Sequence, residues 1–128
     1  VDNLEKHKMH QEYFQIPVKT IEEIQKAKQS GKKVFALGTT VTRTLEYAAE
    51  DILNKQAEPL TGEADIFIYP GYKFQTIDAL ITNFHAPKST VLMLASAFAG
   101  WDNLKKAYDH AASEKYHFLS YGDSMIIT

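Results

Sequence analysis

One stretch constrains the fold more than any other: Asp78-Ala79-Leu80-Ile81-Thr82-Asn83-Phe84-His85-Ala86-Pro87-Lys88-Ser89-Thr90. A mostly apolar run ends in hydrogen-bonding side chains, and a proline then breaks it. Ser89 and Thr90 open a second apolar segment, residues 89–99, that is apolar nearly all round. The order reads as strand, polar loop, buried helix. In open α/β sheets ligands sit at such strand ends. Thr82, Asn83, His85 and Ser89 are therefore candidate site residues, and a His there can titrate near neutral pH.

Similar units recur along the chain. Glu12 and Tyr13-Phe14-Gln15-Ile16 precede Pro17, and the second part is expected to be a short strand. Thr20 and Glu23 have capping-box spacing, Ile21, Ile24 and Ala27 follow at helical spacing, and Gly31 supplies a stop. Val34–Leu37 is expected to be a buried strand. Val41, Leu45, Ala48, Ala49, Ile52 and Leu53 mark one face of a helix. Residues 54–64 read as a loop. Ile66–Tyr69 reads as a strand, closed by the turn pair Pro70-Gly71. Gly100 ends the helix over 89–99, and Asp102 is placed to cap another, whose apolar face is Leu104, Ala107, Tyr108 and Ala111. Phe118-Leu119 and Met125–Ile127 are further strand candidates, with Tyr121-Gly122-Asp123 as a turn. Strands alternating with helices predict an α/β fold, a mostly parallel sheet with flanking helices.

The 128 residues suit one domain with a core. The 14 basic residues are scattered among 16 acidic ones, so the total charge carries no footprint of nucleic-acid binding. Cysteine is absent, which excludes disulfides and thiolate chemistry and fits a reducing compartment, taken here as the cytoplasm. No apolar run approaches the roughly 20 residues of a membrane helix. The chain lacks a starting Met and is expected to be a piece of something longer.

Familiar signatures are missing: no G-x-G-x-x-G, no P-loop, no H-E-x-x-H and no G-x-S-x-G. His7, His10 and Glu12 are a metal cluster, polar groups of a substrate site or solvated surface, and the spacing does not decide. We expect no metal. Gly38-Thr39-Thr40, between strand and helix, suits an anion, with Arg43 a turn further on; the plainer reading is a Thr cap. Tyr69 and Tyr72 either stack on a base or close the core. Asp78 belongs to a rim or a site, because an unpaired buried charge is costly. His85 fits general acid–base work, or else bonds to loop backbone. Asp123 brings a carboxylate to the same edge, or caps a turn.

Six segments in order carry a resemblance: His7–Phe14, Gly38-Thr39-Thr40 with Arg43–Glu46, Phe67–Phe74, Asp78–Thr90, Ser96–Gly100 and Ser120–Asp123. Together they resemble the S-adenosylmethionine:tRNA ribosyltransferase-isomerase family of queuosine biosynthesis, nearly end to end. The resemblance is to the C-terminal part of a longer enzyme. It implies that residues 1–128 belong to the catalytic α/β domain, and that its start and an inserted β-barrel domain lie outside this chain. It implies transfer and isomerisation of the ribosyl group of S-adenosylmethionine onto a 7-aminomethyl-7-deazaguanine base in tRNA, giving epoxyqueuosine, adenine and methionine. A full-length member is expected to be a monomer, and the fragment alone inactive.

On this resemblance His85 is the first choice for proton transfer, with His10 and Glu12 second. Thr39, Thr40 and Arg43 are expected at the methionine carboxylate or a tRNA phosphate. Tyr69 or Tyr72 is expected on adenine or the modified base, and Asp78, Asn83 and Asp123 at ribose hydroxyls or base edges. Two positions depart from the family pattern: Val41 replaces the usual Ser and His117 the usual Arg. The competing readings are a non-catalytic RNA-binding module, which would show a basic stripe with aromatics, and a small-molecule methyltransferase, which would show a Gly-rich loop after the first strand.

Overall fold

A computed structural model describes residues 12–84, 90–117 and 123–128. Its elements are β1 (Glu12–Ile16), α1 (Val18–Gln29), β2 (Phe35–Leu37), α2 (Thr39–Tyr47) and α3 (Ala49–Asn54). Then follow β3 (Leu60–Ala64), β4 (Ala79–Asn83), α4 (Thr90–Ala99), α5 (Trp101–Ser113) and β5 (Ser124–Ile127). The protein is a mixed α/β fold with two small sheets. One is the antiparallel ribbon β1–β3; the other has the order β2–β4–β5.

Parallel pairing does not dominate among the described strands. Only β2–β4 is parallel, while β4–β5 runs antiparallel with Asn83 opposite Ser124. Val34–Leu37 is not a buried strand either. Among the described strands β2 lies at a sheet edge, and of its three residues only Ala36 is buried. Leu37, Ile81 and Ile126 are in register across the sheet, and Leu37 and Ile126 are 71% and 63% exposed.

Two strand expectations are corrected. Leu60–Ala64 is a strand, because Gly62 serves close approach rather than a turn: a Cβ there would sit 3.1 Å from the Phe14 ring across the ribbon. Ile66–Tyr69 forms no ladder. The Arg43 Nε–H donates to the Ile66 carbonyl at 3.3 Å, so a side chain supplies what a neighbouring strand would.

The helices follow their apolar stripes. α1 buries Ile21 and Ile24, each worth about 1.5–3 kcal/mol. It starts at Val18 after Pro17, without the Thr20–Glu23 capping box, because both residues lie inside the helix. At its other end Gly31 takes a positive φ of 71°, and the Gly31 and Lys32 amides bond back to Lys28 and Ala27, as a Schellman ending requires. The single helix expected from Val41 to Leu53 is two, parted at Ala48 with neither Gly nor Pro at the break. Asp102 makes no cap bond; Gly100, at φ 86°, precedes α5.

The main core gathers Ile16, Ile21, Leu45, Ile52, Leu80 and Leu94. A smaller one, Leu92, Ala95 and Leu104, packs under Met125 and Ile127. Among the described residues no helix is long and apolar enough to cross a membrane.

Candidate functional site

Because β2 and β4 run parallel, their C-terminal ends come out side by side, and both carry polar residues. The Gly38 amide donates to the Ile81 carbonyl at 2.7 Å, which ties the β2–α2 turn to β4. Gly38 has φ 98° and ψ 157°, a region essentially reserved for glycine. The Thr42 hydroxyl and amide both donate to the Gly38 carbonyl. The first amides of a helix have no partner within it. α2 therefore begins at the rim of a cleft of about 300 Å³, with Thr39, Thr40, Thr82, Asn83 and Ser124 among its lining residues.

Thr82 is buried and Asn83 half-buried. The Ser124 hydroxyl donates to Asn83 Oδ1 at 3.2 Å, joining residues 41 positions apart. The described lining holds hydroxyls, an amide and apolar side chains, and no ionisable group. A cleft of this kind binds a polar, partly apolar ligand by hydrogen bonds, and needs a titrating group from elsewhere for proton transfer. His85 is two residues beyond Asn83 in sequence. His85, Ser89 and His10 lie outside the described residues, as does the Phe118-Leu119 strand candidate.

Five other candidates, Glu12, Arg43, Asp78, Tyr69 and Tyr72, are not brought to the cleft. Arg43 is buried; its guanidinium forms an ion pair with Glu12 and also faces the Ile66 and Ala64 carbonyls. Both residues are thus committed to anchoring α2 on the β1–β3 ribbon, and a carboxylate or phosphate ligand would have to displace that pairing. Asp78 stands at the start of β4, the opposite end from Thr82. It accepts from the Val34 amide at 2.8 Å and pairs with Lys28 at 3.1 Å. Burial pushes its carboxyl up, but the Val34 amide and the Lys28 ammonium prevail and hold it below the usual carboxylate range. Tyr72 closes the core: its hydroxyl donates to Glu46 and its ring packs edge-on to Phe74. Burial, then the Glu46 charge, pushes its phenol up to about 12.

Tyr69 is exposed and packs against Phe67. Asp123 adjoins the cleft through Ser124 and accepts from the His117 amide at 2.8 Å.

Two functional positions escaped sequence reasoning. Ser124 enters the cleft through the antiparallel register of β5, which no local pattern announces. Glu46 is buried, and its carboxylate accepts from the Gln75, Thr76 and Ile77 amides at 2.7, 2.9 and 2.9 Å and from Tyr72. Its signal was available: Glu46 falls on the helical stripe of Thr42, Ala49 and Leu53, where an acid needs donors.

Fold and cleft together define an α/β protein with a polar cleft at parallel strand ends. The sequence model described as Queuosine biosynthesis protein matches residues 1–127, and the chain belongs to that family. It is similar to the S-adenosylmethionine:tRNA ribosyltransferase-isomerase of Chlorobium phaeovibrioides, 60% identical over 99% of this chain and 38% of the relative. The enzyme of the same name from Francisella tularensis subsp. novicida is 53% identical over 99% of this chain and 37% of the relative. A crystal structure of the S-adenosylmethionine tRNA ribosyltransferase from Thermotoga maritima matches with a TM-score of 0.85 and 43% identity. That match covers 91% of this chain and 40% of the other. The chain thus spans under two fifths of the length of these curated relatives.

Proposed function

We propose that the full-length protein transfers and isomerises the ribosyl group of S-adenosylmethionine onto the 7-aminomethyl-7-deazaguanine base of tRNA. The products are epoxyqueuosine in the tRNA, adenine and methionine. In this reading the chain is the C-terminal part of the catalytic α/β domain of a cytoplasmic monomer, and β2–β4 belongs to a mostly parallel sheet completed by the rest of the protein. The observation that carries the reading is the coincidence of family and geometry. Thr39, Thr40, Thr82 and Asn83, drawn from two segments of the resemblance, line one cleft together.

The chemistry asks for three things: a base for the proton next to the sulfonium, an acid for the departing adenine, and exclusion of water. His85 is assigned proton transfer, because Glu12 is already paired with Arg43. The α2 amides with Thr39 and Thr40 hold the methionine carboxylate. Thr82, Asn83 and Ser124 bond to ribose hydroxyls, and Asp123 supports that edge. Ser89, which lies outside the described residues, is assigned to substrate binding with them.

The test is product analysis with the full-length protein and tRNA carrying the modified base. Adenine and methionine should appear together, and S-adenosylhomocysteine should not. S-adenosylhomocysteine would mean methyl transfer, and tRNA binding with no adenine release would mean an RNA-binding module. His85→Ala should abolish turnover, and Asn83→Ala should lower kcat/KM about 10- to 100-fold, the loss of one or two hydrogen bonds to substrate.

A further inference from the structure

Beyond Thr40 and Val41 a second hollow opens. Its volume is about 340 Å³, and Thr40 and Val41 line it as they line the cleft. Sharing these residues, the two hollows lie side by side as a polar half and an apolar half. Ile16 and Leu45 are buried under the apolar half, while Tyr13 is 66% exposed at its wall. Gln15, also exposed, donates from its amide to the Tyr13 hydroxyl at 3.3 Å. That bond uses the amide NH₂ and leaves the Gln15 carbonyl oxygen as an acceptor. Among the described residues no charged side chain lines this half.

These features suit one kind of occupant. Among the described residues a phosphate finds no cation here. A flat, neutral heteroaromatic ring finds a tyrosine face, an apolar bed and an amide for its edge. We infer that the apolar half receives the adenine ring of the ribosyl donor, stacked on Tyr13, with the ribose bridging Thr40 and Val41 into the polar half. The inference rests on the reading that S-adenosylmethionine is the donor. It also gives Tyr13 the stacking role that sequence spacing offered to Tyr69 and Tyr72. Tyr72 is bonded to Glu46, and neither tyrosine lines either half.

The experiment is equilibrium binding to the full-length protein by calorimetry, with S-adenosylmethionine and adenosine as separate probes and modified-base tRNA as a third. Tyr13→Ala should weaken S-adenosylmethionine and adenosine alike, by about tenfold or more, as the loss of base–aromatic stacking requires. Tyr13→Phe and Tyr13→Trp should restore binding, because each keeps a ring. Affinity for tRNA should not change. The exposed side chain leaves little for the fold to lose, and an unchanged melting temperature checks that. Unaltered S-adenosylmethionine affinity in Tyr13→Ala overturns the inference while leaving adenine release by the wild type, and so the proposed reaction, intact. Weaker tRNA binding with unaltered donor affinity assigns the hollow to an RNA base and also overturns it. A wild type that binds tRNA but neither S-adenosylmethionine nor adenosine ends the proposed reaction first.

Discussion

Tyr72 donates its hydroxyl to the buried carboxylate of Glu46 at 3.2 Å, across 26 positions of sequence. With three backbone amides on the same carboxylate, the contact fixes residues 72–77 to helix α2. That loop feeds directly into β4, and α2 opens at the cleft. One side chain therefore ties α2 to the segment that leads into β4, while the Gly38–Ile81 bond ties them at the cleft. Glu46→Gln should destabilise the full-length protein by roughly 2–3 kcal/mol, because both oxygens accept and the new NH₂ must face a donor. A shift of the urea midpoint measures it; an unmoved midpoint would show that the loop is held by other contacts.

The Tyr72 phenol, raised to about 12, makes an alkaline prediction. A raised folded-state value favours the neutral form, so its contribution is complete below the ordinary tyrosine range near 10 and fades as pH climbs through about 12. The tyrosinate difference spectrum between wild type and Tyr72→Phe should show a late-titrating group. Stability between those limits should fall more steeply in wild type than in the variant. A Tyr72 that ionises with exposed tyrosines contradicts this.

Asp78 has the opposite sign. Its lowered carboxyl contributes stability above the usual carboxylate range near 4, and loses it as pH falls through the depressed value. Asp78→Asn should cost roughly 1 kcal/mol at neutral pH, a modest figure because the Lys28 pair is partly exposed. The gap between wild type and variant should close in acid. Turnover should survive, since Asp78 stands at the far end of β4 from Asn83; a large loss of turnover without a loss of stability would return it to the site.

Gly38→Ala tests the turn that joins β2 to α2. Beyond its two chain neighbours no atom of the described residues lies within 4 Å of where the Cβ would stand, so the cost is backbone strain. At φ 98° that strain is about 1–3 kcal/mol. A drop in melting temperature with a rise in KM for S-adenosylmethionine is expected. An unchanged KM would mean that α2 does not hold the donor.

Much of the cleft was legible because its parts are local. Gly38-Thr39-Thr40 and Thr82-Asn83 each end an apolar run, and a strand that ends in polar residues announces a sheet's rim. The helices α4 and α5 were legible from uninterrupted periodicity around Gly100. What failed was long-range. Ile66–Tyr69 has the composition of a strand, but Arg43 takes the Ile66 carbonyl, so no ladder forms there. Leu60–Ala64 hid behind Gly62, whose missing side chain makes room for Phe14. Arg43 lies a turn from the cleft in sequence, yet a long side chain can reach the other way, and this one does. Ser124 depends on a pairing 41 positions distant.

The Ser124–Asn83 bond also orders events in time. β5 is the last element the ribosome makes of those described, and β4 precedes it by about 40 residues. At synthesis rates of about 5–20 residues per second that interval is roughly 2–8 s. Until β5 arrives, β4 presents an unpaired edge and the cleft lacks a wall. The nascent chain can thus assemble its core early, while the pocket itself closes only after β5 has emerged.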